Sequence, residues 1–440
     1  MTSNDELLTR AVSDVVPRKL AEEKLKSGKP LRLYLGIDPT GTKLHLGHSV
    51  PLRKLKAFAD AGHEVIFLIG SFTATIGDPT GRSELRETLT REQIEKNFQD
   101  YKAQAGKILD FSKVEIRFNS EWYDKETALD FMRLASHFTV QQMMQRDMFR
   151  ERMKWKVICQ HCKELSDSPI QFQSTEDKEN AEIETLEIVC SHCGKKTLCT
   201  KETIIPPPNP VTSMEIMYPM FQAYDSVMLD VDCEIGGNDQ LFNMLCGRKL
   251  QKKYKKRDKF VLTTKLIEGT DGRKMSKTYN NCVYLTDSAE EMYGRILSMP
   301  DALIPLYMEC CTDLPMTDVK AAEKALKDGK ENPKNLKMRL AREIVTMYHS
   351  AEAAEAAETA FENVFKNKGV PEDMPEYKAK KGESLIDALL ASGTVSSKSE
   401  ARRLIEQGGV KVNEVVVTSV EAKAEEGVVK VGKRKFIRIH

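Results

Sequence analysis

Two short stretches of the sequence carry residue types suited to work on a phosphate. In KLHLGHSVPL, residues 43–52, His45 and His48 stand three apart with Gly47 between them. Helical zinc pairs usually stand four apart with a carboxylate close by. Here no acid lies between the imidazoles or in the ten residues after His48. Gly47 lets another group come close to the backbone. The pair falls where an expected strand gives way to an expected helix, and a helix N-terminus favours an anion. Imidazole N–H groups there can donate to phosphate oxygens, although core or capping histidines fit the pair equally well. In DGRKMSKTYNN, residues 271–281, Lys274 and Lys277 also stand three apart, among Gly, Ser and Asn. Two ammonium groups on a mobile loop can neutralise a departing pyrophosphate. An isolated lysine pair is more often a solvated face.

A third constellation is metallic. Cys159-Gln-His-Cys162 and Cys190-Ser-His-Cys193 are two C-x-x-C pairs separated by 27 residues. Four thiolates at such spacing suit a closed, tetrahedral, structural Zn²⁺ site. Disulfides are the alternative. His161 and His192, inside the pairs, are expected to face solvent, and Cys199 is a possible substitute fourth ligand.

The elements around these stretches follow from periodicity. LRLYLGIDPT, residues 31–40, reads as a buried strand, residues 48–63 as a helix, and EVIFLIGSF, residues 64–72, as a second buried strand followed by a Gly-Asp-Pro-Thr-Gly turn. Strand, helix, strand argues for a parallel α/β sheet. Residues 5–28 read as one amphipathic helix, 84–150 as mixed helical patterns, and 215–229 as a helix. Residues 230–265 have sheet-type patterning, and 285–365 are helical and rich in Ala, Glu and Lys. Residues 155–207 lose helical periodicity and read as an inserted module; 374–383 reads as a linker. In 384–440, ESLIDALLAS and SKSEARRLIEQGG read as two helices, and VKVNEVVV and GVVKVGKRKFIRI as strands.

Composition narrows the class. The chain has 440 residues, a formal net charge of +1 and 30% charged residues, an ordinary soluble composition. At roughly 100–200 residues per domain, two to four domains are expected. MTSNDELLTRAV has no apolar signal region, and no run of about 18 apolar residues exists, so a cytoplasmic protein with no membrane partner is expected. Ten cysteines in a chain of this length, four of them in C-x-x-C pairs, point to metal in a reducing compartment.

HLGH followed some 230 residues later by KMSKT resembles the HIGH and KMSKS signatures of the class I aminoacyl-tRNA synthetases. YLGIDPTGTKLHLGH, IGDPTG, MYPMFQAYDS and EIGGNDQLFN look like the tyrosyl-tRNA synthetases of bacteria. The resemblance covers nearly all of the chain except 155–207. It implies an α/β fold: a Rossmann-like parallel-sheet catalytic domain over 1–265 with the zinc-ribbon-like module 155–207 inserted. It further implies a helical anticodon-side domain with the KMSKT loop over 266–372 and a linker over 373–383. A small α+β RNA-binding domain, similar to one found in a ribosomal protein, would then occupy 384–440.

The implied reaction is tyrosine–tRNA ligation with L-tyrosine, ATP, Mg²⁺ and tRNA(Tyr), in a homodimer. Residue by residue, the resemblance assigns Tyr34 and Asp225 to the substrate hydroxyl, and Asp78, Tyr218 and Gln222 to its α-ammonium. Gln240 falls near the carboxylate. Gly36, Asp38, Gly47, Gly237 and Asp239 match nucleotide contacts. Thr40, His45, His48, Lys274 and Lys277 match groups that grip the phosphates. Thr278 keeps the hydroxyl of the more usual KMSKS.

Two basic features bear on RNA. Residues 248–259 hold eight Lys/Arg in twelve, which also fits a solvated helix end, and 381–440 has 11 Lys/Arg against 8 Asp/Glu. Lys398, Arg402, Arg403 and Lys411 are the expected phosphate contacts. Tryptophanyl-tRNA synthetase is the rival enzyme, disfavoured by Tyr34 with Asp225. A non-catalytic RNA-binding relative is the rival from another class, disfavoured by intact HLGH and KMSKT.

Overall fold

Six short runs rich in β-branched and aliphatic residues build the main sheet: β1 (Val12–Val16), β2 (Arg32–Ile37), β3 (Glu64–Ile69), β4 (Val114–Phe118), β5 (Cys233–Gly237) and β6 (Phe260–Thr264). The computed structural model describes residues 3–78, 89–208, 211–277, 279–366, 374–380, 382–413, 415–432 and 435–440. The end of the expected turn after Asp78, residues 84–88 of the expected helical stretch, the Thr278 position, residues 367–372 of the expected helical domain, and residues 373 and 381 of the expected linker lie outside that set. The sheet order is β1-β6-β5-β2-β3-β4. All pairings are parallel except β1 with β6. Parallel strands are buried on both faces, which is why EVIFLI and FVLTT read as continuous apolar runs.

The order has one consequence for function. β2 continues to β3 on one side, whereas β5 continues to β6 on the other. β2 and β5 are neighbours whose chains leave in opposite directions, so their C-terminal ends flank a topological switch point, where α/β sheets open a crevice.

The structure departs from the expectations at the N-terminus. Residues 5–28 are not one helix but a short turn of helix, the edge strand β1, and a helix Arg18–Lys26. The reason is local: VSDVV is β-branched, and Pro17 has no N–H to continue a helix through it. Residues 230–265 are likewise not all sheet. Between β5 and β6 runs the helix Leu241–Lys255, so the basic run 248–259 is largely a helix end. Within it, Arg248 pairs with Asp258 at 2.7 Å and Lys259 is fully buried.

Residues 155–205 form a separate small sheet system. Strands Lys156–Ile158, Leu165–Asp167 and Ile204–Ile205 make one sheet, and Leu186–Val189 with Lys196–Cys199 make another. The helices Ala289–Leu297, Ile304–Cys311, Met316–Lys327 and Pro333–Tyr348 complete the first compact unit, which spans Met1–Tyr348.

The second unit, His349–His440, holds the helix Ala351–Lys366 and a five-stranded sheet with helices Leu385–Ala391 and Lys398–Glu406. Its core is aliphatic: Leu385, Leu389, Ile405, Val410, Val429 and Ile437 are buried. The segment expected as a linker contributes a strand, Glu376–Tyr377, parallel to Lys435–Ile439. A two-residue edge strand carries too little pattern to be seen in sequence.

Asp232 pins the switch point from below. Its carboxylate accepts from the Arg32 backbone N–H at 3.0 Å, from Lys24 at 2.7 Å and from Arg257 at 2.5 Å. Asp232→Ala is expected to cost about 2–3 kcal/mol, because Lys24, Arg257 and the first amide of β2 lose a buried charged acceptor. Chemical denaturation checks this, and Asp232→Asn, which keeps an acceptor, is expected to lose less.

Candidate active site

The cleft at the C-terminal ends of β2 and β5 has a volume of about 370 Å³. Tyr34 and Gly36 reach it from β2, and Asp38 and Thr40 from the turn beyond. Gly237 enters at the end of β5, with Asp239 and Gln240 in the single 3₁₀ turn that follows. Tyr218, Gln222 and Asp225 share one face of the helix Ser213–Leu229. His45, Gly47 and His48 begin the helix Leu46–Asp60, and Asp78 and Lys274 complete the lining. Of the residues singled out for the tyrosine, ATP and phosphate sites, all but Lys277 line this cavity. Lys277 stands beside its rim: its Nζ would lie 2.5 Å from a Cβ at Gly41.

The two histidines solve a backbone problem. Helix N-termini leave amide N–H groups without partners. His45 Nδ1 accepts from the Gly47 N–H at 3.1 Å, and His48 Nδ1 accepts from the His45 N–H at 3.2 Å. The result is a capping box built from imidazoles in place of the usual hydroxyl and carboxyl. Both Nδ1 atoms are acceptors, so in the neutral rings the proton sits on Nε2, leaving one N–H donor on each ring. Burial, then the neighbouring imidazole, then the Lys277 ammonium pull His45 down to about 2. Burial and Lys277 pull His48 down to about 4. Gly47 is required here: a Cβ would stand 2.9 Å from His45 Cε1 and Nδ1.

Backbone pairing joins the two motifs. Leu46 N–H donates to Val283 O at 2.9 Å and Leu285 N–H to Leu44 O at 2.9 Å, bridging His45 and Tyr284. The intervening lysine loop is tied by Asn281, which is buried. Its amide donates to Asp271 at 2.7 Å and to Lys274 O at 3.1 Å, and accepts from Ser276 N–H at 2.8 Å. Sequence reasoning missed Asn281, which looks like any loop asparagine.

At the deep end, the partners of Tyr34 and Asp225 differ. Tyr34 OH meets Ser226 Oγ at 2.9 Å. Asp225 accepts from Trp122 Nε1 at 3.0 Å and Asn119 Nδ2 at 3.4 Å, and burial raises its carboxyl well above the usual range. Asp38, expected to face the nucleotide, accepts from Thr73 Oγ1 at 2.7 Å and Tyr218 OH at 2.8 Å. It also lies so near Gly70 that any Cβ there would collide with it. Asp78 accepts from Gln240 at 2.7 Å. Asp239 is raised by burial, with the Lys274 ammonium opposing. Ser226, Trp122, Asn119 and Thr73 carried no sequence signal, since their roles arise from contacts with residues far along the chain.

Away from the cleft, the four C-x-x-C sulfurs come within 4.8 Å of one another, with Cys159–Cys193 at 3.7 Å and Cys162–Cys190 at 3.6 Å. Each pair turns between two strands. His161 and His192 are exposed, and Cys199 is buried outside the cluster. In the second unit, Lys398, Arg402 and Arg403 are exposed on one helix, with Lys398 2.7 Å from Asp387. Lys411 is half-buried and pairs in register with Lys430 on the next strand. No described helix is long and apolar enough to cross a membrane.

The histidine geometry predicts a pH effect on folding. The unfolded chain takes up a proton on His48 near 6.5, but the folded chain resists it until about 4. The contribution of neutral His48 is therefore present above about 6.5 and lost as pH falls toward 4. The stability advantage of wild type over His48→Asn is expected to shrink across that window in parallel denaturation series. An advantage that stays constant would contradict the neutral, buried imidazole.

Comparison with known proteins agrees with the geometry. The class I tRNA synthetase (W and Y) family model matches residues 26–173 and 172–366, and the S4 domain model matches 385–429. A tyrosine–tRNA ligase of Thermotoga maritima is 39% identical over 437 residues, covering 98% of this chain and 96% of that protein. One of Carboxydothermus hydrogenoformans is 40% identical, covering 99% and 97%. The structure of a C-terminally truncated mitochondrial tyrosyl-tRNA synthetase of Aspergillus nidulans shares the fold, with a TM-score of 0.59 at 21% identity over 83% of this chain and 95% of that one. This chain belongs to the class I tRNA synthetases of the tryptophan and tyrosine group, within them to the tyrosine–tRNA ligase family, and it carries an S4 domain.

Proposed function

We propose that the cleft activates L-tyrosine with ATP, releasing pyrophosphate, and passes the tyrosyl group to the 3′ end of tRNA(Tyr). The observation that carries this reading is the convergence, on one cavity at the switch point, of residues from five separate stretches. Tyr34 and Asp225 take the phenol. Asp78, Tyr218 and Gln222 take the α-ammonium, with Gln240 near the carboxylate. Gly36, Asp38, Gly47, Gly237 and Asp239 take the nucleoside. Thr40, His45, His48, Lys274 and Lys277 hold the triphosphate, which arrives with Mg²⁺.

No protein nucleophile is needed. The tyrosine carboxylate attacks the α-phosphorus, a bond forms between its oxygen and that phosphorus, and the bond to the β-phosphate oxygen breaks. Catalysis is then positioning and charge stabilisation. Neutral imidazoles donate without adding charge in the resting site, while the lysines supply it from a loop. Discrimination against phenylalanine follows because its ring would cover the polar pair at the deep end without supplying the hydrogen bonds that a hydroxyl makes.

Lys398, Arg402, Arg403 and Lys411 are the proposed tRNA phosphate contacts. A homodimer is part of the proposal, and Leu129, Met132 and Val140 are exposed apolar side chains that it would cover.

The test is amino-acid-dependent ATP–pyrophosphate exchange with Tyr, Phe and Trp. Exchange with Tyr alone, reduced about 10²-fold in Lys274→Ala, is expected. Exchange with Trp instead would sink the phenol assignment, and none with any amino acid would favour a non-catalytic RNA-binding role.

The four-cysteine cluster fits a structural Zn²⁺. Tetrahedral Zn–S bonds of about 2.3 Å put sulfurs roughly 3.8 Å apart, close to the 3.6–3.7 Å separations here. Metal analysis is expected to give one zinc per chain, lost in Cys159→Ser/Cys190→Ser. Thiol-specific chelation is expected to open residues 155–205 to proteolysis while the rest of the chain stays folded.

A further inference from the structure

At the floor of the cleft, which Glu234 helps to line, lies an ion pair that no motif announces. Lys259, fully buried, places its Nζ on Glu234 Oε2 of β5, itself buried. The same ammonium donates to Ser226 Oγ at 2.5 Å and lies 5.6 Å from the Tyr34 ring centroid. Gly247 makes the room: a Cβ there would stand 2.7 Å from Ser226 Oγ and 2.9 Å from Lys259 Nζ. A buried ion pair seldom stabilises a fold more than an apolar pair of similar volume. Its effect here is on the direction of hydrogen bonds.

An ammonium can only donate. Ser226 Oγ therefore accepts from Lys259 and turns its own proton to Glu234 Oε2, 3.2 Å away. Tyr34 OH, 2.9 Å from Ser226 Oγ, must then be the donor in that contact. The Tyr34 oxygen is left facing the cleft as an acceptor. On the other arm, Glu234 Oε1 accepts from Gln222 Nε2 at 3.1 Å, which turns Gln222 Oε1 to Asn243 Nδ2 at 2.8 Å. Asn243 reaches Gln240 Oε1 at 3.1 Å, and Gln240 reaches Asp78 at 2.7 Å. One hydrogen-bonded chain runs from Lys259 to Asp78 and branches to Tyr34.

We propose that Lys259 and Glu234 are positioning residues for the amino-acid end of the site, making Tyr34 an acceptor for a substrate phenol O–H and fixing the amide of Gln222. The inference rests on the tyrosine-activation reading and adds a specificity device to it. The ligand class is a para-hydroxyphenyl amino acid whose hydroxyl donates. O-methyl-tyrosine, which cannot donate, is rejected along with phenylalanine.

The experiment pairs equilibrium binding of L-tyrosine with exchange kinetics on the full chain. Lys259→Met alone would strand a buried carboxylate, so the informative variant is Lys259→Met/Glu234→Gln, which removes both charges at similar volume. Its Kd for L-tyrosine is expected to rise about 10–100-fold, with the KM for ATP unchanged and the Tyr-over-Phe ratio of kcat/KM reduced by a similar factor. Ser226→Ala, which keeps both charges of the ion pair and removes the hydroxyl that links them to Tyr34, is expected to lower the same ratio. It keeps the test valid if the double variant does not fold.

Wild-type Kd and ratio in the folded variants would overturn the inference. So would equal losses toward tyrosine and ATP, which mark a merely structural pair. Wild-type protein that binds no L-tyrosine would overturn the activation reading, and this inference with it.

Discussion

The divergence of β2 and β5 is the constraint on which the rest of the structure depends. Two parallel neighbours whose chains leave toward opposite sides of the sheet cannot both be covered at their C-terminal ends. The crevice is a consequence of strand order, before any side chain is chosen. The sequence then lines its walls with small or polar groups where backbone must stay close: Gly36 is the second-last residue of β2 and Gly237 the last of β5. Asp232, below the same junction, holds the strands in register by accepting an amide from β2 and two cationic side chains.

A second constraint is electrostatic. A site that handles a triphosphate needs positive charge when ligand is present and must tolerate its absence. The chain separates these demands. The buried groups at the helix N-terminus are imidazoles held neutral by burial and locked by backbone amides. The permanent cations, Lys274 and Lys277, are on an exposed loop where water solvates them. The pairing of residues 44–46 with 283–285 keeps that loop against the histidines although some 230 residues separate the motifs. In the proposed reading, charge reaches the cleft from a loop and neutral donors from a helix N-terminus.

Much of this was legible in the sequence. Strand, helix and strand over residues 31–72 show in uninterrupted apolar runs, and HLGH and KMSKT are conspicuous because glycine, imidazole and ammonium sit at fixed offsets. The four cysteines are legible for the same reason. What escaped has a different physical character. Val12–Val16 was hidden in a polar stretch because an edge strand needs only half a pattern. Glu376–Tyr377 is too short to have one. Ser226, Glu234 and Lys259 are ordinary polar residues in sequence, and Lys259 sits in a basic run that reads as solvated surface. They meet only after a helix and two strands have packed, so their significance is tertiary and leaves no local trace. Trp122 and Asn119 reach Asp225 from more than a hundred residues away in the same manner.

Residues 155–205 show the same logic at smaller scale. Its buried apolar cluster is Trp155, Val157, Cys199 and Ile204, with a few half-buried neighbours. A cluster of that size cannot offset the ordering of two hairpins and their connecting segment. Small modules of this kind need a cross-link. The two C-x-x-C turns bring four sulfurs together where the hairpins meet, and all ten cysteines of the chain are free thiols, so no disulfide provides it. A metal bound there would couple its binding energy directly to folding of the module. The main sheet, with its long apolar strands, would not depend on it. One ion at the four cysteines would then hold residues 155–205 while leaving the switch point to the packing of the main sheet.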